Sequence, residues 1–121
     1  MLFHGTSNTD PSMVYTGEEG FDMRFSSGGM WGQAVYFAVN SSYSNGYSFG
    51  GAGGRQMFMA NVLVGTYETR QSDRSIKMPN LIPGKQNERY DSIKGNTGGS
   101  DVFMIYSNKK AYPSYLVTYT A

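Results

Sequence analysis

The chain contains no cysteine. Disulfides, thiolate nucleophiles and cysteine-ligated metals are therefore excluded. There is one histidine, His4, with no acidic cluster or second histidine beside it, so no metal site is expected. The glycine runs lack both the Lys-Ser/Thr ending of a phosphate loop and the spacing of a dinucleotide fingerprint. Charge is also scarce: the net charge is +1, so bulk electrostatics give no basic face for nucleic acid or membrane. No apolar run is long enough to span a bilayer. The start, MLFHGTSNTD, has neither the charged opening nor the apolar stretch of a secretion signal. The expectation is an intracellular protein, cytoplasmic or nuclear, away from membranes.

What remains is unevenly distributed. Of the 121 residues, 39% are hydrophobic, a low share, but 15% are aromatic, and aromatic rings bury large areas each. One core and one domain over residues 1–121 are expected. Sixteen glycines predict many tight turns. Residues 1–5 read as a strand running into a turn. Asp10-Pro11 opens a short helix over residues 12–15, with Gly17 as its stop. Residues 21–32 read as a Gly/Ser-rich loop and residues 35–38 as a strand. Asn40 is positioned to cap a second short helix ending near Gly46. Residues 50–54 read as a turn, and residues 55–64 as a central strand, apolar on both faces. The polar segment 67–100 reads as long loops around one short strand near Ser92 and Ile93. Residues 101–106 and 112–119 predict two final strands, Pro113 standing where a missing N–H is tolerated. Strands do not alternate regularly with helices. The fold class expected is α+β, with a mostly antiparallel, divided sheet.

The stretch AVYFAVNSSYSNGYSF, residues 34–49, interleaves Tyr36, Phe37, Tyr43, Tyr47 and Phe49 with small and hydroxylated residues. Rings in a strand are usually core, which is the bland reading of Phe37 and Phe49. Tyrosines have a polar tip as well, so they can wall a pocket around a flat group while their hydroxyls stay bonded. Tyr43 is open to either role. Trp31 reads equally as a lid over a ligand or as an anchor for its loop.

Five segments in order carry a family resemblance: LFHGT at 2–6, GFDMR at 20–24, GMWGQAVYFAVNSSYS at 29–44, YDSI at 90–93 and AYPSYLVTY at 111–119. Together they resemble the catalytic domain of the poly(ADP-ribose) polymerase family, and its mono-ADP-ribosylating branch in particular. The resemblance implies an ADP-ribosyltransferase fold with NAD, the co-substrate, in a cleft between sheets. Nicotinamide leaves, and one ADP-ribose passes to an acceptor, either an acidic protein side chain or a nucleic-acid end. It implies that His4 holds a ribose hydroxyl and that the Gly5 backbone and the Ser44 hydroxyl pair with the carboxamide. Tyr36 and Tyr47 would enclose the nicotinamide ring. Thr6, Phe37 and Ala38 would flank the NAD site, and Arg24 would lie near the adenosine.

One departure stands out. Chain-elongating members of the family carry a glutamate before the penultimate strand, and here that position is Val102. The implied triad is His4, Tyr36 and Val102. Valine cannot hydrogen-bond a ribose or stabilise an oxocarbenium-like state, so polymer growth is not expected. Asp101 is adjacent, but alternation on a strand points it to the opposite face, unless a bulge shifts the register. The charges of segment 67–100, among them Arg70, Asp73, Arg74, Lys77, Lys85, Glu88 and Arg89, include more basic than acidic residues. They suit an acceptor side that receives acidic groups, or simply a solvated face. The rival to a transferase is a catalytically silent module that binds NAD, ADP-ribose or a protein partner.

Overall fold

A computed structural model describes residues 1–17, 20–22, 28–51, 54–108 and 110–120. The chain opens with strand β1 (Leu2–His4) and a one-turn helix α1 (Ser12–Tyr15). The helix starts at the expected dipeptide, but Pro11 rather than Asp10 holds the N-cap, and the Asp10 carboxylate accepts the Ser12 N–H at 2.9 Å from one position further out. Two short strands, β2 (Gly28–Gly29) and β3 (Gly32–Gln33), pair as a separate hairpin within the segment read as loop. Strand β4 (Val35–Ala38) leads into helix α2 (Ser41–Asn45). Asn40 occupies the N-cap position in extended conformation, but its side chain makes no capping bond.

The rest is strand: β5 (Phe49–Gly51), β6 (Gly54–Val62), β7 (Tyr67–Thr69), β8 (Ser92–Thr97), β9 (Ser100–Ile105) and β10 (Ala111–Tyr119). They join β1 and β4 in one sheet of order β10-β6-β1-β4-β9-β8-β7, with β5 folded onto β6. The sheet is antiparallel except for β7 and β8, which run parallel. The α+β class and the central position of β6 are as expected. Segment 67–100 differs: it contains two strands, and β8 continues to Thr97. Local pattern hides both. Strand β7 has three residues and forms only through its partner. Strand β8 carries Gly95 because the Trp31 ring lies against it: a Cβ there would come within 2.2 Å of that ring.

The period-two alternation of β4 divides the interior. Val35 and Phe37 join Val14, Phe21, Phe58, Ala60 and Ile105 on one side. Ala38 joins Trp31, Ala34, Ile76, Ile93, Val102 and Met104 on the other, with Tyr36 packed against that group. Cross-strand register enforces the split, since Val35 pairs with Ile105 and Ala38 with Val102.

Candidate active site

Strand β1 lies between β4 and β6, with His4 opposite Phe58. This pairing carries the imidazole to the first core group, where Phe21 meets it edge-on at 5.1 Å and Phe37 at 5.3 Å. Its Nδ1 lies 2.6 Å from the Tyr36 carbonyl oxygen. A carbonyl can only accept, so Nδ1 carries the hydrogen and Nε2 keeps a lone pair. Burial lowers the His4 pKa, and the bond to Tyr36 only partly opposes it. The ring is therefore a neutral acceptor at physiological pH.

His4 lines a cavity of 490 Å³ bounded by the end of β1, residues 5–9, the β2–β3 hairpin, β4 and α2. Gly5 lines it too, and only glycine fits there. A Cβ would lie 2.4 Å from the carbonyl carbon and oxygen of Tyr47 and 2.7 Å from that of Ser44, all fixed backbone. The following loop is tied across the cavity by the Ser7 N–H donating to the Tyr47 carbonyl at 2.6 Å. Thr6 donates its hydroxyl to the Thr9 carbonyl at 2.7 Å. Ser7 adopts a left-handed φ of 52°, a strain costing about 1–3 kcal/mol.

Helix α2 supplies the facing wall. Ser44 is buried and lines the cavity. Tyr43 and Tyr47 also line it, their ring centroids 5.5 Å apart and tilted by 42°. Burial, reinforced by the neighbouring Tyr47, pushes the Tyr43 phenol up to about 12. The helix is anchored from below by the Tyr119 hydroxyl, which donates to Asn45 Oδ1 at 2.6 Å.

Tyr36 is held at both sides of its hydroxyl. It accepts the Trp31 N–H at 2.8 Å and donates to the Gly32 carbonyl at 2.7 Å. Burial raises its pKa, while the Trp31 bond and the charge of Arg74 pull it back. Trp31 is an anchor rather than a lid. It is 1% exposed, its Nε1–H donates to the Arg70 carbonyl at 3.0 Å, and its carbonyl accepts the Tyr106 hydroxyl at 2.5 Å. The loop around Ile76 then presses on the hairpin, where a Cβ on Gly32 would fall 1.9 Å from the Ile76 carbonyl oxygen.

Seven of the residues singled out in the sequence thus share one cavity: His4, Gly5, Thr6, Tyr36, Ala38, Ser44 and Tyr47. Phe37 does not line it. It is 1% exposed inside the first core group and acts by supporting the His4 ring. Val102 is wholly buried behind Ala38, in the second core group. The β4–β9 register is regular there. Asp101 therefore faces away, accepting from Asn96 Nδ2 at 3.0 Å and standing 3.8 Å from Lys94. Arg24 lies outside the described residues. Tyr43, open to either role in the sequence, lines the cavity as well, and so does Arg74, one of the charges read as suiting an acceptor side; Asp22 was not singled out. Tyr43 sits on α2, and Tyr47 follows the helix four residues later. Asp22 had no signal beyond its charge.

The cavity brings together a neutral imidazole, a glycine backbone and two tilted phenol rings on an α+β frame. The family model described as "Poly(ADP-ribose) polymerase catalytic domain" matches residues 1–121. The chain belongs to that family of ADP-ribosyltransferases, and its fold is the family's. It is 40% identical over 121 residues to a Dictyostelium discoideum protein named "Probable poly [ADP-ribose] polymerase", covering 98% of this chain and 33% of that one. It is 32% identical over 121 residues to the human protein mono-ADP-ribosyltransferase PARP12, covering 98% of this chain and 17% of the relative. With human PARP14, also a protein mono-ADP-ribosyltransferase, it shares 32% over 123 residues, 98% of this chain and 7% of the relative. The chain therefore spans a third or less of the length of these relatives.

Proposed function

We propose that this chain binds NAD in the His4 cavity, cleaves its nicotinamide–ribose bond and transfers a single ADP-ribose to an acceptor. The observation that carries the reading is the convergence of His4, Gly5, Tyr36, Ser44 and Tyr47 on one cavity. Its size suits a ligand site, since such pockets span roughly 300–1,000 Å³. In this reading the nicotinamide ring lies between Tyr36 and Tyr47, whose faces attract its cationic ring. The carboxamide takes the Gly5 backbone and the Ser44 hydroxyl. His4 accepts a ribose O–H on Nε2 and so fixes the sugar. The bond from ribose C1′ to the pyridinium nitrogen breaks with its electron pair leaving on nicotinamide. An acceptor oxygen then bonds to C1′, and a carboxylate acceptor arrives already deprotonated.

Val102 gives this chemistry its limit. An apolar residue sealed behind Ala38 cannot activate a sugar hydroxyl as nucleophile, so chain growth is not supported. A protein carboxylate needs no such activation, which favours it as acceptor over a sugar hydroxyl. The same absence favours one rival, a silent module that holds NAD or ADP-ribose without cleaving it. Incubation with labelled NAD decides between them, with mass detection of the product and a His4→Ala control. A single added ADP-ribose that His4→Ala abolishes supports the transferase. Binding without label transfer supports the module, and long polymer ladders contradict the single-transfer reading.

A further inference from the structure

Two charged side chains line the cavity among the described residues, Asp22 and Arg74, and Arg74 is the cation. Its position is built rather than incidental. The Asp73 carboxylate accepts both the Ser75 N–H at 2.9 Å and the Ser75 hydroxyl at 2.6 Å, which closes a tight turn around Arg74. Ile76 follows, buried in the second core group and bonded to the Asp73 carbonyl at 3.3 Å. Its backbone abuts Gly32 on the hairpin that holds Tyr36.

Several carboxylates of residues 67–91 are already engaged. Glu68 pairs with Arg70 and accepts from Asn80, while Asp91 holds the Thr66 N–H and Lys110. Asp73 is turned to Ser75, as its lowered pKa reflects. Among the described residues no carboxylate lies within ion-pair distance of Arg74, which is exposed and faces the cavity beside Tyr36. A guanidinium held at the mouth of a cleft asks for an oxyanion from solution.

We propose that Arg74 receives the carboxylate of the acceptor and aims it at ribose C1′, which makes Arg74 a specificity-determining residue for acidic acceptors. This rests on the NAD reading above. In that reading Tyr36 marks the nicotinamide end, where the bond to C1′ breaks, and Arg74 stands at that end. Arg74 exchanges no proton and forms no covalent bond. It replaces a water-solvated carboxylate with a positioned one, and its charge compensates the anion until the oxygen bonds to C1′. The NAD diphosphate is the other oxyanion source, so the test separates the two.

The full chain is assayed with labelled NAD, a glutamate-bearing peptide and its glutamine counterpart, following transfer and NAD hydrolysis together. Arg74→Gln is expected to lower the ratio of transfer to hydrolysis by about 10- to 100-fold, through the peptide KM. Arg74→Lys recovers part of it, and the glutamine peptide shows no dependence on residue 74. Transfer and hydrolysis falling in step, with a raised KM for NAD, assigns Arg74 to the diphosphate and overturns the proposal. An unchanged ratio makes Arg74 a solvated surface charge and overturns it too. If the unmutated chain consumes no NAD, the underlying reading fails first, and this one with it.

Discussion

On the β1 wall of the cavity, His4 is gripped by Phe21, by Phe37 and by a 2.6 Å bond to the Tyr36 carbonyl. On the α2 wall, Tyr47 leaves 51% of its surface exposed and touches Tyr43 through a tilted ring contact. The first wall presents one acceptor in one orientation. The second presents faces that can adjust to a planar ring. A site that must hold a sugar in register while exchanging the base beside it is served by this division, because orientation matters most at the reacting carbon. Tyr36 belongs to both walls: its carbonyl fixes His4, and its ring and hydroxyl face the other side.

The largest test changes what lies behind the cavity. Val102→Glu places a carboxylate among Ala38, Ile93 and Met104, where an unpaired charge costs about 3–5 kcal/mol. A sharp loss of stability in denaturant unfolding, without polymer formation from NAD, is expected. Native stability together with chain elongation would show that the pocket reaches Val102. Next, Tyr36→Phe leaves the Trp31 N–H without its acceptor, a loss of about 1–3 kcal/mol. The accompanying sign is a raised KM for NAD, since the hairpin loosens. An unchanged KM and midpoint would mean that the hairpin does not hold the ring.

The rigid wall also has a pH signature. The His4 pKa is lowered in the folded state, so the unfolded chain binds more protons between the two values. The stability that this contributes is complete above about pH 6.5 and is lost as pH falls toward the depressed value. Unfolding measured from neutral to acid pH should show this decline, and His4→Phe should flatten it. The smallest effect is expected at Asp101. Asp101→Asn breaks a surface pair with Lys94, worth about 0–1 kcal/mol, and leaves ADP-ribose transfer unaltered. A drop in transfer would return Asp101 to the site.

Much of this was readable beforehand because it is written in local pattern. The motif around VYFA marked Tyr36 as a pocket residue while Phe37 kept a core reading, and Asn40 marked the start of a short helix carrying Ser44. The order of the five motifs led to the family. What stayed hidden is tertiary. Strand β7 exists through its parallel partner β8, and Gly95 interrupts a polar strand only because Trp31 needs the space. Trp31 could not be assigned as anchor until its bonds to Arg70 and Tyr106 were visible. Phe37 matched the motif of a cofactor wall, yet packing made it the support of His4 instead. Arg74 came to the cavity through a turn thirty-eight residues beyond Tyr36 in sequence, a proximity no spacing rule supplies.

The central claim is that one pocket clasps nicotinamide between Tyr36 and Tyr47 while His4 Nε2 accepts from the adjoining sugar. A crystal structure with a non-cleavable NAD analogue tests it most directly. The account predicts the pyridine ring between the two phenols, its amide on Gly5 and a ribose hydroxyl at hydrogen-bond distance from His4. An analogue bound elsewhere, or with its ring away from both tyrosines, would contradict it.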